Sequence, residues 1–152
     1  ESNQLFQVFA FSHARGMEIV EPPIRCVEAD NISSSAQKEV SSILRGLGFD
    51  HDEEVSPWKD GELSAPPGML AIDMACRQKM VAIEFDGPNR FMRQVGSGKV
   101  LELQNGATKA KRRFLERLGW KVVNIRYFDW AKAKSKEAKR SFVSEMLKEV
   151  VD

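Results

Sequence analysis

Two short apolar segments that lie close together in the chain constrain its fold most strongly. Residues 69–76 (Met-Leu-Ala-Ile-Asp-Met-Ala-Cys) and 80–86 (Met-Val-Ala-Ile-Glu-Phe-Asp) are rich in aliphatic side chains and are separated by a polar turn. Apolar runs of this length, bounded by turn residues, are typical of strands in a sheet that is covered on both faces. The sequence therefore predicts two neighbouring strands in a sheet that needs a covering layer on each side.

Three amphipathic segments supply helices that can cover such a sheet. The first follows Ser34, which forms a capping box with Gln37, and the second follows a capping asparagine, Asn105. The order α-β-β-β-α-β-α predicts an α/β fold in which helices flank one mixed central sheet. The expected helices are 36–47, 106–118 and 135–150, the expected strands 49–55, 69–76, 80–86 and 121–127, and a bent hairpin arm is expected at 91–103. The apolar stripes of the last two helices are expected to include Ala107, Ala110 and Ala138.

The chain is long enough for one domain with its own core and too short for two. Its 152 residues are 42% apolar and 30% charged, an ordinary globular mixture, and no apolar run is long enough to cross a bilayer. Residues 1–31 are expected to be a lead-in or linker from an upstream region, since Glu1 is not an initiator methionine. Residues 32–152 are expected to form the domain. The two cysteines and two histidines show none of the spacings of a zinc site.

Three carboxylates near the ends of the two central strands are candidate catalytic residues: Asp73, Glu84 and Asp86. Alternation along a strand puts Glu84 and Asp86 on one face, and pairing of the two strands brings Asp73 beside Glu84. Two carboxylates in contact favour a cation between them, and oxygen ligands suit Mg²⁺ or Mn²⁺. Asp73 and Glu84 are therefore candidate ligands of such an ion, which would suit phosphodiester hydrolysis. The alternative is that residues 86–88 form an ordinary strand-ending turn and Glu84 satisfies a nearby backbone group or arginine.

The charged residues are distributed unevenly along the chain. Residues 1–62 hold five Lys or Arg and twelve Asp or Glu, whereas residues 106–140 hold twelve Lys or Arg and three Asp or Glu. A near-neutral chain that concentrates its positive charge in this way has one face suited to a polyanion such as nucleic acid. The alternative is a set of solvated helix surfaces.

Three blocks of sequence resemble the RAP domain, a module at the C-termini of mitochondrial and plastid RNA proteins. They are Val-Ala-Ile-Glu-Phe-Asp-Gly-Pro (81–88), Asn-Gly-Ala-Thr-Lys-Ala-Lys-Arg-Arg-Phe-Leu-Glu-Arg-Leu-Gly-Trp (105–120) and Lys-Val-Val-Asn-Ile-Arg-Tyr-Phe-Asp-Trp (121–130). The blocks span about a third of the chain, in the family's order and spacing. The family is similar in fold to very-short-patch-repair endonucleases, so the resemblance implies a restriction-endonuclease-like, PD-(D/E)XK core.

The chain departs from these patterns at positions that matter for chemistry. The PD-(D/E)XK pattern has a lysine two residues after the Glu, where this chain has Asp86, although Lys109 or Lys111 could substitute if they reach inward. Arg90 stands where the family often has histidine, and Arg126 where it often has proline. Losing a histidine removes a possible acid–base group, and added arginines favour contact with phosphate. These departures favour binding over cleavage.

The candidate RNA-binding residues are cations of the basic helix and its surroundings together with one aromatic residue. A row of cations on a helix face can follow a phosphate backbone, and aromatics beside cations can stack unpaired bases. The alternative for the helix is a surface whose charges only keep the domain in solution. The candidates are Arg90, Lys109, Lys111, Arg112, Arg113, Arg126 and Tyr127.

Three functions remain open at this point. The resemblance implies an RNA-binding domain of an organellar factor that stabilises, processes or helps translate a transcript or ribosomal RNA. The expected location is the mitochondrion, with the chloroplast or another plastid as the alternative. The second function is a divalent-metal-dependent endoribonuclease, with Mg²⁺ or Mn²⁺ as the cofactor. The third is a protein interaction module that docks on an upstream helical-repeat array or on ribosomal proteins. No membrane partner is expected.

Overall fold

In the computed structural model, which describes residues 35–58 and 70–151, a four-stranded mixed sheet has helices on both faces. This confirms the α/β architecture, whereas the expected lead-in at 1–31 lies outside the described residues. The helices are α1 (Ser35–Gly46), α2 (Gly106–Arg117), α3 (Tyr127–Lys132) and α4 (Lys136–Val151). The strands are β1 (Asp52–Val55), β2 (Ile72–Cys76), β3 (Val81–Asp86), β4 (Phe91–Arg93), β5 (Val100–Gln104) and β6 (Lys121–Arg126).

The main sheet has the strand order β1-β2-β3-β6. The first three strands are antiparallel neighbours, and β6 is parallel to β3. A parallel pair requires a long connection, and here α2 and a separate hairpin of β4 and β5 lie between its two strands. The register pairs Glu84 with Asn124 and Asp86 with Arg126, so polar residues of β3 and β6 meet at the same end of the sheet.

The two faces of the sheet pack into two separate cores. Val81 and Ile83 of β3 belong to the core covered by α1 and α4, which contribute Val40, Leu44 and Val143. Ala82 belongs to the opposite core, together with Phe114, Leu115, Trp120 and Val122, and this core lies beneath α2. The expected alternation along β3 is therefore confirmed. Because Glu84 and Asp86 follow Ala82 at two-residue spacing, their side chains lie on the α2 side of the sheet.

Helix α2 differs from the expected apolar stripe in its first turns. Ala107 and Ala110 are exposed, and so is Ala138 in α4, contrary to the prediction. Thr108 is buried, and the Lys111 side chain is only 13% exposed. The inward stripe of α2 therefore runs from Thr108 through Lys111 to Leu115, at helical spacing. Burying a side chain as small as alanine removes little apolar surface from water. The polar end of the sheet is therefore covered by the polar side chains of Thr108 and Lys111.

Two further elements depart from the expected pattern. Residues 127–132 form the short helix α3, where the sequence predicted the end of a strand and a loop. Ile72 packs in the same core as Ala75, although strict alternation predicted opposite faces. The regular pairing of β2 with β3 extends only from Met74 to Cys76, so Ile72 lies beyond the regular ladder. Among the described residues, no helix combines the length and hydropathy that crossing a membrane requires.

Candidate functional site

The first turn of α2 is fixed by a dense set of hydrogen bonds around Asn105. The Asn105 Oδ1 accepts from the backbone N–H of Thr108 (2.9 Å) and from its hydroxyl (2.9 Å), which is an N-cap. The Asn105 backbone N–H donates to the carbonyl of Arg90 (2.9 Å), and the Thr108 hydroxyl oxygen lies 3.3 Å from the same carbonyl. The sequence around Asn105 therefore sets the position of α2 relative to the turn at 88–90, and with it the position of every side chain on the helix.

Lys111 reaches inward from α2 and contacts Glu84 on β3. Its ammonium lies 2.6 Å from the Glu84 Oε2 and also donates to the backbone carbonyl of Ala71 (2.6 Å). Both charged groups are largely buried, with 13% of the Lys111 side chain and 6% of the Glu84 side chain exposed. Lys111 is thus buried among the candidate catalytic carboxylates. The exposed row of cations consists of its neighbours on the helix.

Asp73 lies beside Glu84 on the adjacent strand, as the sequence predicted from strand pairing. The Asp73 Oδ2 accepts a hydrogen bond from the backbone N–H of Phe85 (2.8 Å), and the Asp73 N–H lies 3.4 Å from the Glu84 Oε1. Each side chain therefore reaches the backbone of the other strand. We refer to Asp73, Glu84, Asp86 and Lys111 as the carboxylate cluster.

Burial and a neighbouring charge determine the protonation of Glu84. Burial raises the pKa of Glu84 to about 7 because a buried carboxylate loses its hydration. The Lys111 ammonium opposes this shift, and the negative charge of Asp73 adds to it. Glu84 is therefore poised to exchange a proton near neutral pH, in contact with the nitrogen that partly compensates its charge.

Asp86 is buried and is held by amide side chains from two other strands. Its Oδ2 accepts hydrogen bonds from Gln104 of β5 (2.6 Å) and from Asn124 of β6 (3.1 Å), and only 2% of the residue is exposed. Burial raises the pKa of Asp86, while these two hydrogen bonds and the charge of Arg90 oppose the shift. Asp86 therefore ties the hairpin and β6 to β3. The sequence left open that Asp86 only begins a strand-ending turn, whereas in the structure its side chain also joins three strands.

The donor set does not suit a divalent cation in this arrangement. Mg²⁺ and Mn²⁺ require several oxygen ligands, and here the Glu84 Oε2 and the Ala71 carbonyl both face the Lys111 ammonium. The Asp73 Oδ2 already accepts from the Phe85 N–H. Among the described residues, no group of three or more histidine, cysteine, aspartate or glutamate side chains is arranged to hold a metal ion. An ion at this position would have to displace the lysine.

The outward face of α2 has a different character. Lys109, Arg112 and Arg113 are exposed, and Arg112 forms an ion pair with Glu116 (2.9 Å) one turn later. Arg90, on the neighbouring turn, is exposed as well. In the part of the chain that the structure describes, Lys109 has no carboxylate partner. Four of the predicted cations are thus exposed on α2 and the adjoining turn, and we call them the basic face.

Arg126 and Tyr127 lie where β6 ends and α3 begins. Arg126 forms an ion pair with Asp129 (2.6 Å), which in turn contacts Lys132 (2.9 Å). The pKa of Asp129 is lowered, first by the hydrogen bond from Lys132 and then by the one from Arg126. The half-buried Tyr127 belongs to a ring cluster at the base of the hairpin, with Phe91 at 5.7 Å between ring centroids and Phe128 at 4.0 Å.

Sequence reasoning did not identify Gln104 and Asn124 as members of the site. Asn124 interrupts an otherwise apolar strand, Val-Val-Asn-Ile, and an amide at such a position indicates a buried polar partner. Its Nδ2 donates to Asp86, whereas its Oδ1 is buried with no hydrogen-bond partner in the described part of the chain. Gln104 gave no comparable signal, because it lies at the end of a partly exposed hairpin strand.

Comparison with known proteins finds similarity to one family. Residues 83–146 match the RAP domain, which confirms the resemblance seen in the sequence. The chain is also similar to a chloroplastic RAP domain-containing protein of Oryza sativa subsp. japonica, with 29% identity over 99 residues. The matched region makes up 65% of this chain and 13% of that relative, so the chain spans a small part of the relative's length.

Proposed function

We propose that this chain, whose residues 83–146 form a RAP domain, is the RNA-binding part of an organellar factor that acts on a transcript or on ribosomal RNA. The observation that supports this most directly is the basic face. Its cations come from one helix and one adjoining turn, and helix α2 buries its opposite side in the core. A row of exposed cations on the helix side that faces away from the core suits a phosphate backbone.

The ring cluster beside Arg126 supports the same function. Tyr127 is partly exposed and is held in place by Phe91 and Phe128, so its ring is oriented before any ligand arrives. An oriented aromatic ring beside cations can stack an unpaired base. Lys111 has no part in this surface, because its ammonium is occupied by Glu84 and Ala71.

The carboxylate cluster supports binding without metal-dependent cleavage. Asp86 occupies the position where the PD-(D/E)XK pattern has its lysine, and Lys111, which does reach inward, is held by Glu84, a candidate metal ligand, and by the Ala71 carbonyl. We therefore propose that the cluster stabilises the fold on which the basic face is built. Of the two organelles left open by the sequence, the chloroplastic relative favours a plastid over the mitochondrion.

The basic face can be tested with a triple variant, Lys109→Ala, Arg112→Ala and Arg113→Ala. Single-stranded RNA binding is measured by fluorescence anisotropy at several salt concentrations. Affinity falls as salt rises, so the slope of log affinity against log salt concentration is negative. Losing three phosphate contacts should make this slope shallower by about 2, because fewer counterions are released on binding. The matched control is Lys38→Ala, Lys134→Ala and Lys136→Ala, which removes the same charge from exposed positions on other helices or loops.

The outcomes separate the three functions. A folded triple variant whose salt slope equals that of the wild type would remove the basic face from the RNA site. A wild-type chain that retains no RNA would favour the protein interaction module. The same samples incubated with Mg²⁺ or Mn²⁺ test the endonuclease. Cleavage by wild type that is lost in both Asp73→Asn and Glu84→Gln would make the chain an enzyme and contradict the proposal.

A further inference from the structure

A groove lies along the outer side of β6, which is the last strand in the order of the main sheet. Its walls come from β5, α2 and the C-terminal part of α4, and its volume is about 540 Å³. We call this space the edge groove. It begins beside the basic face, because Lys109 and Arg112 line it, and it reaches the carboxylate cluster through Asn124, which contacts Asp86.

Three cations line the edge groove: Lys109, Arg112 and Arg126. Arg112 is paired with Glu116 one helical turn later, and Arg126, at the end of β6, is paired with Asp129. A guanidinium has five N–H donors, so both arginines retain free donors. Two carboxylates, Glu102 and Glu149, also line the groove. Because both arginines are paired, Lys109 is the lining cation that has no carboxylate partner among the described residues. An unpaired cation suits the single negative charge of one phosphodiester group.

The rest of the lining combines apolar side chains with amides. Leu103, Val123 and Val150 offer aliphatic surface to a flat ring, and Leu103 is 56% exposed although it is apolar. Gln104 and Asn124 line the inner end, where their amide nitrogens are held by Asp86. Small-molecule sites commonly have volumes of about 300 to 1,000 Å³ and this mixture of apolar walls and a few polar groups. The groove is therefore of the size of a nucleotide and too small for a duplex.

We propose that the edge groove binds one unpaired nucleotide of an RNA strand, with its phosphate at Lys109 and Arg126 and its base against Leu103 and Val150. This inference rests on the proposed RNA-binding function and places one nucleotide of the RNA strand in the edge groove. RNA that crosses the basic face would then turn into the groove at Arg112, which lines the groove and also belongs to the basic face. The domain should accordingly prefer single-stranded RNA over a duplex of the same length.

The test is the substitution Leu103→Glu, which puts a negative charge on the groove wall. The matched control is Val95→Glu, at a position of the same hairpin that is 99% exposed and outside the groove lining. Both variants change the net charge equally, and neither removes a buried side chain. A second pair compares Lys109→Ala with Lys99→Ala, an exposed lysine of the same hairpin. Binding of a fluorescent single-stranded oligouridylate and of an RNA duplex of equal length is measured by anisotropy, and folding is checked by thermal melting.

We expect Leu103→Glu to weaken single-strand binding about tenfold, because a like charge close to a phosphate costs affinity on this scale. Val95→Glu should stay within about twofold of the wild type, a difference that is small against one tenfold step. Three results would each overturn the groove assignment. Leu103→Glu could bind the single strand as tightly as the wild type, Leu103→Glu and Val95→Glu could weaken binding equally, or the wild type could prefer the duplex. If Leu103→Glu binds as tightly as the wild type, a protein segment becomes the better candidate for the occupant of the groove. Failure of the wild type to bind either RNA would instead contradict the proposed function itself.

Discussion

Helix α2 presents two lysines, about half a turn apart, to opposite environments. Lys109 is exposed on the basic face, whereas Lys111 is buried against Glu84 and the Ala71 carbonyl. The difference shows that residue type alone does not identify a nucleic-acid contact in a basic helix. The side of the helix and the presence of a buried carboxylate determine whether a cation serves the surface or the core.

The largest expected effect tests this contrast directly. Lys111→Met should lower the free energy of unfolding by about 3 kcal/mol at pH 8, because it leaves the buried Glu84 carboxylate without its cation. Lys109→Met should change it by no more than about 0.5 kcal/mol, as is usual for an exposed position. Urea denaturation of both variants provides the measurement. Similar values for the two substitutions would show that the buried pair does not distinguish them.

The pH dependence of stability sharpens the same contrast. With a pKa raised from 4.5 to about 7, Glu84 binds its proton more tightly in the folded chain than in the unfolded chain. Glu84 therefore contributes most to the free energy of unfolding at low pH. This contribution, up to about 3 kcal/mol, is lost as the pH rises toward 7. Glu84→Gln should remove this loss.

Denaturation of the wild type and Glu84→Gln at several pH values between 5 and 8 gives the difference attributable to Glu84. Glu102→Gln makes the same chemical change at an exposed position and serves as the control. If the curves of wild type and Glu84→Gln run parallel over this range, then Glu84 does not titrate there.

The smallest expected effect concerns the residue that positions both faces of α2. Asn105→Ala removes the side-chain cap at Thr108 and should cost about 1 kcal/mol. Because the cap also fixes the helix start against the 88–90 turn, RNA affinity should fall modestly in the same variant. Thermal melting and anisotropy measure the two effects, and Asn89→Ala, at an exposed neighbouring position, is the control. An unchanged melting temperature would show that the backbone contacts at Arg90 are enough to hold the start of α2 without the Asn105 side chain.

Much of the main sheet and its helices could be predicted from the sequence, because the apolar pattern in 69–86 and the cap at Asn105 reflect local physics. The adjacency of Asp73 and Glu84 followed from the predicted pairing of the two strands. The short helix α3 could not be predicted, since its aromatic residues suit a strand equally well and only packing at the base of the hairpin decides. The hydrogen bonds of Asp86 to Gln104 and Asn124 depend on long-range register, which no local pattern encodes.

The hairpin of β4 and β5 is joined to the rest of the domain at its base, where Gln104 contacts Asp86 and Phe91 packs against Phe128. Its tip contains Gly96 and Gly98, both with positive φ, and the neighbouring Val95 is almost fully exposed. A segment of this kind can be lengthened or shortened without disturbing either core. The hairpin tip is therefore a position where the length of the chain can change while the main sheet and its helices stay the same.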